Sequence, residues 1–132
     1  MSQLDTIDQE LFDNRYATLT TLGADGDPQS TVVWFRVEDG KILISATARR
    51  QKTKNLAADP RCSVLICHPA TSDYFVEIRG SATVVDDADY AIADRISPRY
   101  DADFRSFDRP TDKRLALIVT AEKVLITDVR SH

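Results

Sequence analysis

The sequence has few of the residues that form several common kinds of functional site. Its 132 residues include only four glycines, two cysteines and two histidines, His68 and His132. The G-x-x-x-x-G-K-[S/T], G-x-G-x-x-G and G-x-S-x-G patterns are all absent. These absences exclude a P-loop, a glycine-rich dinucleotide loop and a nucleophile elbow, and no catalytic residue is assigned.

The two cysteines also argue against a disulfide and a metal centre. Cys62 and Cys67 lie in one β-rich segment, where their spacing puts them on opposite faces and roughly 16 Å apart, too far to bridge. Neither belongs to a Cys/His cluster with metal-ligand spacing. We therefore expect two free thiols, no metal site and a reducing, cytoplasmic location.

Positive charge and long apolar runs are also scarce. Lys and Arg number 17 against 21 Asp and Glu, a net charge of −4, so nucleic-acid binding through a general positive field is excluded. Any anion site must be local. No run approaches the roughly 18 apolar residues of a membrane span, and the first residues lack the pattern of a signal peptide. The length favours one domain over residues 1–132, without a membrane span.

The residues present are mostly arranged in β-rich segments separated by turns. Segments 16–22, 29–37 and 41–47 predict a three-strand meander with Asp-Gly turns at both hairpins. Further strands are predicted at 61–68, at 74–85 with a bulge at Gly80, and at 115–128. The sequence therefore predicts a mainly β (α+β) fold: an antiparallel β-barrel of about six strands with two to three peripheral helices.

Three segments have helical character. Leu4, Ile7, Leu11 and Phe12 recur at helical spacing and predict an amphipathic N-terminal helix. A second helix covers 49–58 and ends at Asp59-Pro60, and a third follows the acidic residues 86–89 and is interrupted at Ser97-Pro98. Residues 99–113 are charged, aromatic and irregular.

The densest polar run, residues 49–55, lies where a strand ends and a helix begins. Backbone N–H groups at a helix start, a hydroxyl and convergent cations would form a phosphate site. By strand alternation Ser45 and Thr47 share a face beside this helix start. The alternative is a solvated basic helix face, which is the usual meaning of a charge run.

Strand 29–37 is unusual because large apolar groups occur on both of its faces. Val32 and Trp34 share one face, while Val33 and Phe35 share the other. Either something packs outside the barrel, such as a second subunit or a flat ligand, or this is a strand buried within a sandwich core.

Five pieces of sequence in order carry a family resemblance. They are 17–22 (ATLTTL), Asp25-Gly26-x-Pro28-Gln29, Val33-Trp34-Phe35, the run Arg50-Gln51-Lys52-x-x-Asn55-Leu56-x-x-Asp59-Pro60-Arg61, and Tyr74-x-Val76-Glu77-Ile78-Arg79-Gly80. Together they resemble the pyridoxamine 5′-phosphate oxidase-like FMN-binding split β-barrel superfamily, and within it the coenzyme F420-dependent reductase group. The resemblance covers residues 16–127.

The resemblance implies a homodimer with a cofactor ring in a groove between two barrels. Its cofactor would be coenzyme F420, or alternatively FMN, and its activity hydride transfer to an electron-poor small molecule such as a conjugated carbonyl or a quinone. A non-catalytic carrier of F420 or flavin is a further alternative. The cofactor-binding residues implied are Val32, Val33 and Trp34 at the ring, Ser45, Ala46 and Thr47 along the groove, Lys52 and Thr53 at the phosphate, and Arg49 and Asn55 beside them.

The chain also differs from the oxidase branch of that superfamily. Oxidases end in an Arg-Leu-x-Pro type segment that helps to hold pyridoxal phosphate, whereas this chain ends Thr127-Asp128-Val129-Arg130-Ser131-His132. Pyridoxamine phosphate oxidation is therefore not the expected activity.

Overall fold

A computed structural model describes residues 2–131 and shows one antiparallel sheet that curls into a split barrel. Its order is β2-β1-β5-β6-β7-β4-β3, which makes β2 and β3 the two edges. The mainly β antiparallel prediction is confirmed, with seven strands where about six were expected. The strands are β1 (Tyr16–Leu22), β2 (Pro28–Trp34), β3 (Arg36–Glu38), β4 (Lys41–Thr47), β5 (Arg61–His68), β6 (Thr71–Asp86) and β7 (Arg114–Asp128).

The additional strand arises because the predicted strand 29–37 is broken at Phe35. β2 pairs with β1, with Trp34 opposite Tyr16, whereas β3 pairs with β4. Both predicted hairpins form, β1–β2 and β3–β4, but the three-strand meander is wrong, because β2 and β3 are separate strands at opposite edges of the sheet. The backbone N–H of Phe35, which no ladder uses at the break, donates to the Tyr100 hydroxyl at 2.9 Å. The apolar pattern continued through Phe35 because its ring is fully buried.

The N-terminal segment covers the core with two short helical turns rather than the one helix predicted. A 3₁₀ turn at Gln3–Thr6 is followed by α1 (Gln9–Phe12). The Asp8 carboxylate accepts the N–H of Glu10 and starts α1 as a new element. The predicted apolar side is nevertheless correct, since Leu4, Ile7, Leu11 and Phe12 are all buried.

Gly80 lies at a bulge, as predicted. The pairing of β6 with β7 changes register between Arg79 and Gly80. A Cβ atom at this position would lie 1.9 Å from the Thr120 carbonyl oxygen, so only glycine permits this approach of the two backbones.

Two further helices lie outside the sheet, and both were predicted. α2 (Gln51–Ala58) follows β4 directly. α3 (Ala93–Ile96) is shorter than predicted because Tyr90 has a φ of 63°, which is not a helical backbone conformation. The N–H groups of Ile92 and Ala93 donate to the Asp87 carboxylate rather than to carbonyl oxygens of a preceding helical turn. A 3₁₀ turn at Ser97–Tyr100 continues it, and another occupies Phe104–Phe107 within the irregular segment.

Other sequence expectations concern thiols, metals and membranes. Cys62 and Cys67 are free thiols. Over residues 2–131 there is no group of three or more Cys, His, Asp or Glu side chains placed to hold a metal ion, and no helix is long and apolar enough to cross a membrane. His132 lies outside the described residues.

Candidate functional site

A pocket of about 420 Å³ opens where β2, β4, the start of α2 and the start of β7 meet. It brings together the two unusual features of the sequence, the basic run after β4 and the strand that is apolar on both faces. Eight of the ten site residues expected from the sequence line it: Val32, Val33, Trp34, Ser45, Ala46, Thr47, Arg49 and Lys52.

Local structure at the end of β4 explains how the basic residues reach the pocket. The chain turns after Thr47, and α2 begins at Gln51. The Thr53 hydroxyl donates to the Thr47 carbonyl oxygen at 2.9 Å and holds the first turn of α2 against the strand. This connection places the side chains of Arg49, Arg50 and Lys52 along the pocket.

The cationic end of the pocket is formed by Arg49, Arg50 and Lys52. Lys52 Nζ donates to the Thr31 hydroxyl at 3.3 Å, and Arg49 donates to Asp112 at 3.0 Å. Burial, and secondly the neighbouring Arg50, lower the pKa of Lys52. An anion placed among these groups would offset both effects, in a protein whose net charge is −4.

The buried hydroxyl of Thr47 has no hydrogen-bond partner, and it is the one such side-chain atom in the described part of the chain. Thr47 is only 4% exposed and lines the pocket. An unsatisfied buried polar group costs about 1–3 kcal/mol. A polar ligand group that contacts Thr47 Oγ1 would remove this cost, so the residues present fit a ligand with an anionic or polar end.

The other end of the pocket is aromatic. The indole of Trp34 lies 5.6 Å from the Phe104 ring and 6.0 Å from the Phe107 ring, measured between centroids. Behind it Tyr100 stacks on the indole with centroids 4.5 Å apart. Aromatic walls of this kind favour a planar apolar ligand group.

A buried ion pair forms the wall between β4 and the aromatic residues. Arg114 and Asp108 are each 6% exposed, and the guanidinium donates to both carboxylate oxygens. Arg114 Nη1 also donates to Ser45 Oγ at 3.2 Å, and the Tyr90 hydroxyl donates to Asp108 at 2.5 Å.

Sequence reasoning missed several of the residues that line this pocket. Segment 99–113 had no periodicity, so nothing in it pointed to the barrel. One available signal was Arg114, a cation directly before an apolar strand that needs a buried partner. The lining residues missed are Thr31, Phe104, Phe107, Asp108 and Arg114, while Arg50 belongs to the predicted basic run but was not assigned to the cofactor.

Thr53 and Asn55, both expected at the pocket, are not part of its lining. Each is buried and has its polar atoms bonded within the protein. Thr53 bonds to Thr47, while Asn55 Nδ2 donates to Thr21 at 3.1 Å and its Oδ1 accepts from Gln51 at 2.8 Å. Their geometry is that of residues that fasten α2 to the barrel.

Residues 4–128 match the sequence profile of the family described as pyridoxamine 5′-phosphate oxidase. The chain belongs to this family. No curated protein matches the sequence. The family match agrees with the resemblance of the sequence and includes every residue that lines the pocket.

Solved structures similar to this family member share the split barrel. An F420 reductase is 26% identical, with a TM-score of 0.76 over 89% of this chain and 94% of that one. A conserved hypothetical protein of Mycobacterium tuberculosis is 30% identical, with a TM-score of 0.77 over 98% and 86%. An FMN-binding protein of Nostoc punctiforme is 16% identical, with a TM-score of 0.72 over 100% and 88%, and shows the fold alone.

These relationships agree with the chemistry of the pocket. The family includes flavin-binding and deazaflavin-binding oxidoreductases, and the chain has their FMN-binding split-barrel fold. A flavin or deazaflavin has a planar ring system, which suits the aromatic end, and a phosphate-bearing side chain, which suits the cationic end.

Proposed function

We propose that this chain is an oxidoreductase that uses reduced coenzyme F420 to pass a hydride to an electron-poor small molecule, such as a conjugated carbonyl or a quinone. The observation that carries the proposal is the pocket itself, which joins a cationic end and an unpartnered buried hydroxyl to an aromatic end. The chain would act as a single split-barrel domain. The F420 reductase at 26% identity supports F420 as the cofactor.

At the phosphate end, Lys52 would provide the main positive charge, with Arg49 and Arg50 beside it. Charge-assisted hydrogen bonds from such groups to phosphate are short and strong. Thr47 Oγ1 would donate or accept the hydrogen bond that it lacks in the protein alone. Thr53 and Asn55 would act indirectly, by holding α2 in place.

At the ring end, Val32, Val33 and Trp34 would contact one side of the planar ring, and Ser45 and Ala46 would line its edge. The bound deazaflavin would supply the hydride from its C5 carbon. The protein would orient the ring, keep water from it and hold the acceptor over its open face.

Two alternative functions would use the same pocket. FMN carries a similar ring and phosphate, and FMN-binding proteins share the fold. A carrier of F420 or flavin without turnover would need the pocket but no acceptor site. Both are distinguished from an F420-dependent reductase by the reaction of bound reduced cofactor with acceptors.

We also propose that the protein is a homodimer. Val32, on the edge strand β2, is 67% exposed, and Tyr16 on the adjacent strand β1 is 53% exposed. A second copy that covers these side chains would remove apolar surface from water and enclose the pocket beside Val32. The two free thiols support a cytoplasmic location.

Binding is tested by incubating the purified protein with F420 or with FMN, followed by dialysis and visible absorption spectroscopy. Trp34 is the only tryptophan and lines the pocket, so a ring bound beside it should quench its fluorescence. We expect F420 to be retained with quenching of Trp34, and FMN to be retained less. Retention of neither compound would contradict the proposal, and retention of FMN alone would favour the flavin reading.

A further inference from the structure

The hydroxyl of Ser45 is a free hydrogen-bond donor whose direction is set by Arg114. Ser45 is half-buried at the pocket wall, and its Oγ accepts one hydrogen bond, from Arg114 Nη1 at 3.2 Å. A guanidinium has only donors, so Ser45 must be the acceptor in this bond. Among residues 2–131 the Ser45 O–H has no acceptor, and its proton is left to donate to whatever occupies the pocket.

Arg114 is itself held in one position from two directions. Its Nε donates to Asp108 Oδ2 at 3.1 Å and its Nη2 to Asp108 Oδ1, a two-point contact that fixes the plane of the guanidinium. The Phe104 ring lies 4.9 Å from the guanidinium carbon. The Tyr90 hydroxyl donates to Asp108 Oδ2 at 2.5 Å, the oxygen that also accepts from Arg114 Nε, and so helps to hold the carboxylate.

The burial of this pair points to a role beyond surface charge. Both side chains are 6% exposed, so their desolvation is offset by their close contact, by the bonds to Tyr90 and Ser45 and by the Phe104 ring over the guanidinium. Burial also makes the hydrogen bond to Ser45 stronger than it would be in water. Donation from a cation polarises the Ser45 hydroxyl and makes it a better donor to a ligand oxygen or nitrogen.

We propose that Arg114 is a positioning residue, held by Asp108 and Tyr90, which makes the Ser45 hydroxyl a directed hydrogen-bond donor to a heteroatom on the edge of the bound planar ring. The inference rests on the proposed function, because it assigns the polar contact at the ring end of the same pocket. Ser45 contacts the ligand, and Arg114 acts only through Ser45.

The test separates the ring end from the phosphate end with two probes, F420 and 5-deazariboflavin, which carries a similar ring without phosphate. Dissociation constants are measured by quenching of Trp34 for wild type, Ser45→Ala, Arg114→Lys and the double variant. Lysine keeps a positive charge beside Asp108 but cannot bond to Asp108 at two points and to Ser45 together. Thermal unfolding of each variant checks that it is folded.

We expect Ser45→Ala to weaken the binding of both probes about 2- to 12-fold, the range for one neutral hydrogen bond. Arg114→Lys should weaken binding to a similar extent, and the double variant no more than the stronger single change, because both act through one bond. Ser45→Thr, which keeps the hydroxyl, should restore binding. Ser72→Ala, in β6 and outside the pocket, is the matched control.

Two results would overturn the inference while leaving the proposed function intact. One is wild-type affinity of Ser45→Ala for 5-deazariboflavin. The other is additive losses in the double variant, which would mean that Arg114 acts independently of Ser45. If the wild-type protein binds neither F420 nor 5-deazariboflavin, the proposed function is overturned, and the inference with it.

Discussion

The phenol ring of Tyr100 lies flat on the indole of Trp34, with centroids 4.5 Å apart and planes 4° apart. The same Tyr100 hydroxyl accepts the N–H of Phe35 at 2.9 Å and donates to the Arg15 carbonyl oxygen at 2.5 Å. One side chain therefore fixes both the aromatic wall of the pocket and the break between β2 and β3.

Two substitutions of Tyr100 should separate these roles. Tyr100→Phe keeps the stacked ring but leaves the Phe35 N–H without a partner, so we expect a loss of about 1–3 kcal/mol in unfolding free energy with little change in Trp34 emission. Tyr100→Leu also removes the stack, which adds about 0.5–1.5 kcal/mol and should alter Trp34 emission. Chemical denaturation and fluorescence spectra measure both effects. Equal emission spectra of the two variants would contradict this assignment.

The bulge at Gly80 should be intolerant of any side chain. In Gly80→Ala the new methyl group would meet the Thr120 carbonyl oxygen at 1.9 Å, so the β6–β7 pair must separate there. We expect a loss of about 1–3 kcal/mol or more in unfolding free energy. Gly23→Ala is the control, because its Cβ would make an ordinary contact at 3.4 Å. Equal stability of the two variants would show that the backbone at the bulge adjusts freely.

Lys52 should provide binding free energy for the phosphate of the cofactor. Lys52→Ala is expected to weaken F420 binding by about 1.5–3 kcal/mol, more than tenfold in Kd, with little change in thermal stability. Lys54→Ala, on the same helix but exposed and outside the pocket, is the matched control. Unchanged affinity of Lys52→Ala would identify the basic run as a solvated helix face.

The pH dependence of binding should also identify Lys52. Burial and Arg50 lower the pKa of Lys52. In the protein alone its ammonium therefore loses its proton at a lower pH than an ordinary lysine side chain, whose pKa is about 10.4. The charge is present below the lowered pKa and is lost above it, so F420 affinity should fall as pH rises towards that range. This decline should be absent in Lys52→Ala. The same decline in both proteins would assign it to another group.

The exposed edge at Val32 should be covered by a second copy of the chain. Light scattering is expected to give twice the chain mass of 14.8 kDa at micromolar concentration. The interface between the two copies should be apolar and well above about 1,000 Å² in area. Val32→Asp should shift the mass towards the monomer, because a charge would be buried without a partner. A stable wild-type monomer would contradict the shared-groove arrangement.

Much of the fold follows from the sequence because strand alternation and turn residues act locally. The break at Phe35 does not, since alternation continues through it and the residue that takes its N–H is Tyr100, far along the chain. α3 is short for a similar reason, because the left-handed backbone at Tyr90 is not visible in a helical pattern.

For the site, the sequence indicated the strand-to-helix corner but not which side chains turn inward. Lys52 and Thr53 are adjacent on α2, yet Lys52 lines the pocket and Thr53 bonds to the Thr47 carbonyl oxygen. That difference depends on how α2 packs on the barrel. Asp108 and Arg114 join the pocket only because the irregular segment folds back against β4, which no local pattern specifies.

The most direct test of the central claim is the rate at which protein-bound reduced F420 is oxidised by added acceptors. Hydride transfer requires the acceptor to be held over the ring at near-attack distance, roughly 3–3.5 Å, which binding of the cofactor alone does not provide. Stopped-flow mixing with a panel of conjugated carbonyls and quinones should show faster oxidation of bound than of free reduced F420, with saturation in acceptor. Oxidation of the bound cofactor at the rate of the free one throughout the panel, or acceleration only with reduced FMN, would contradict an F420-dependent reductase.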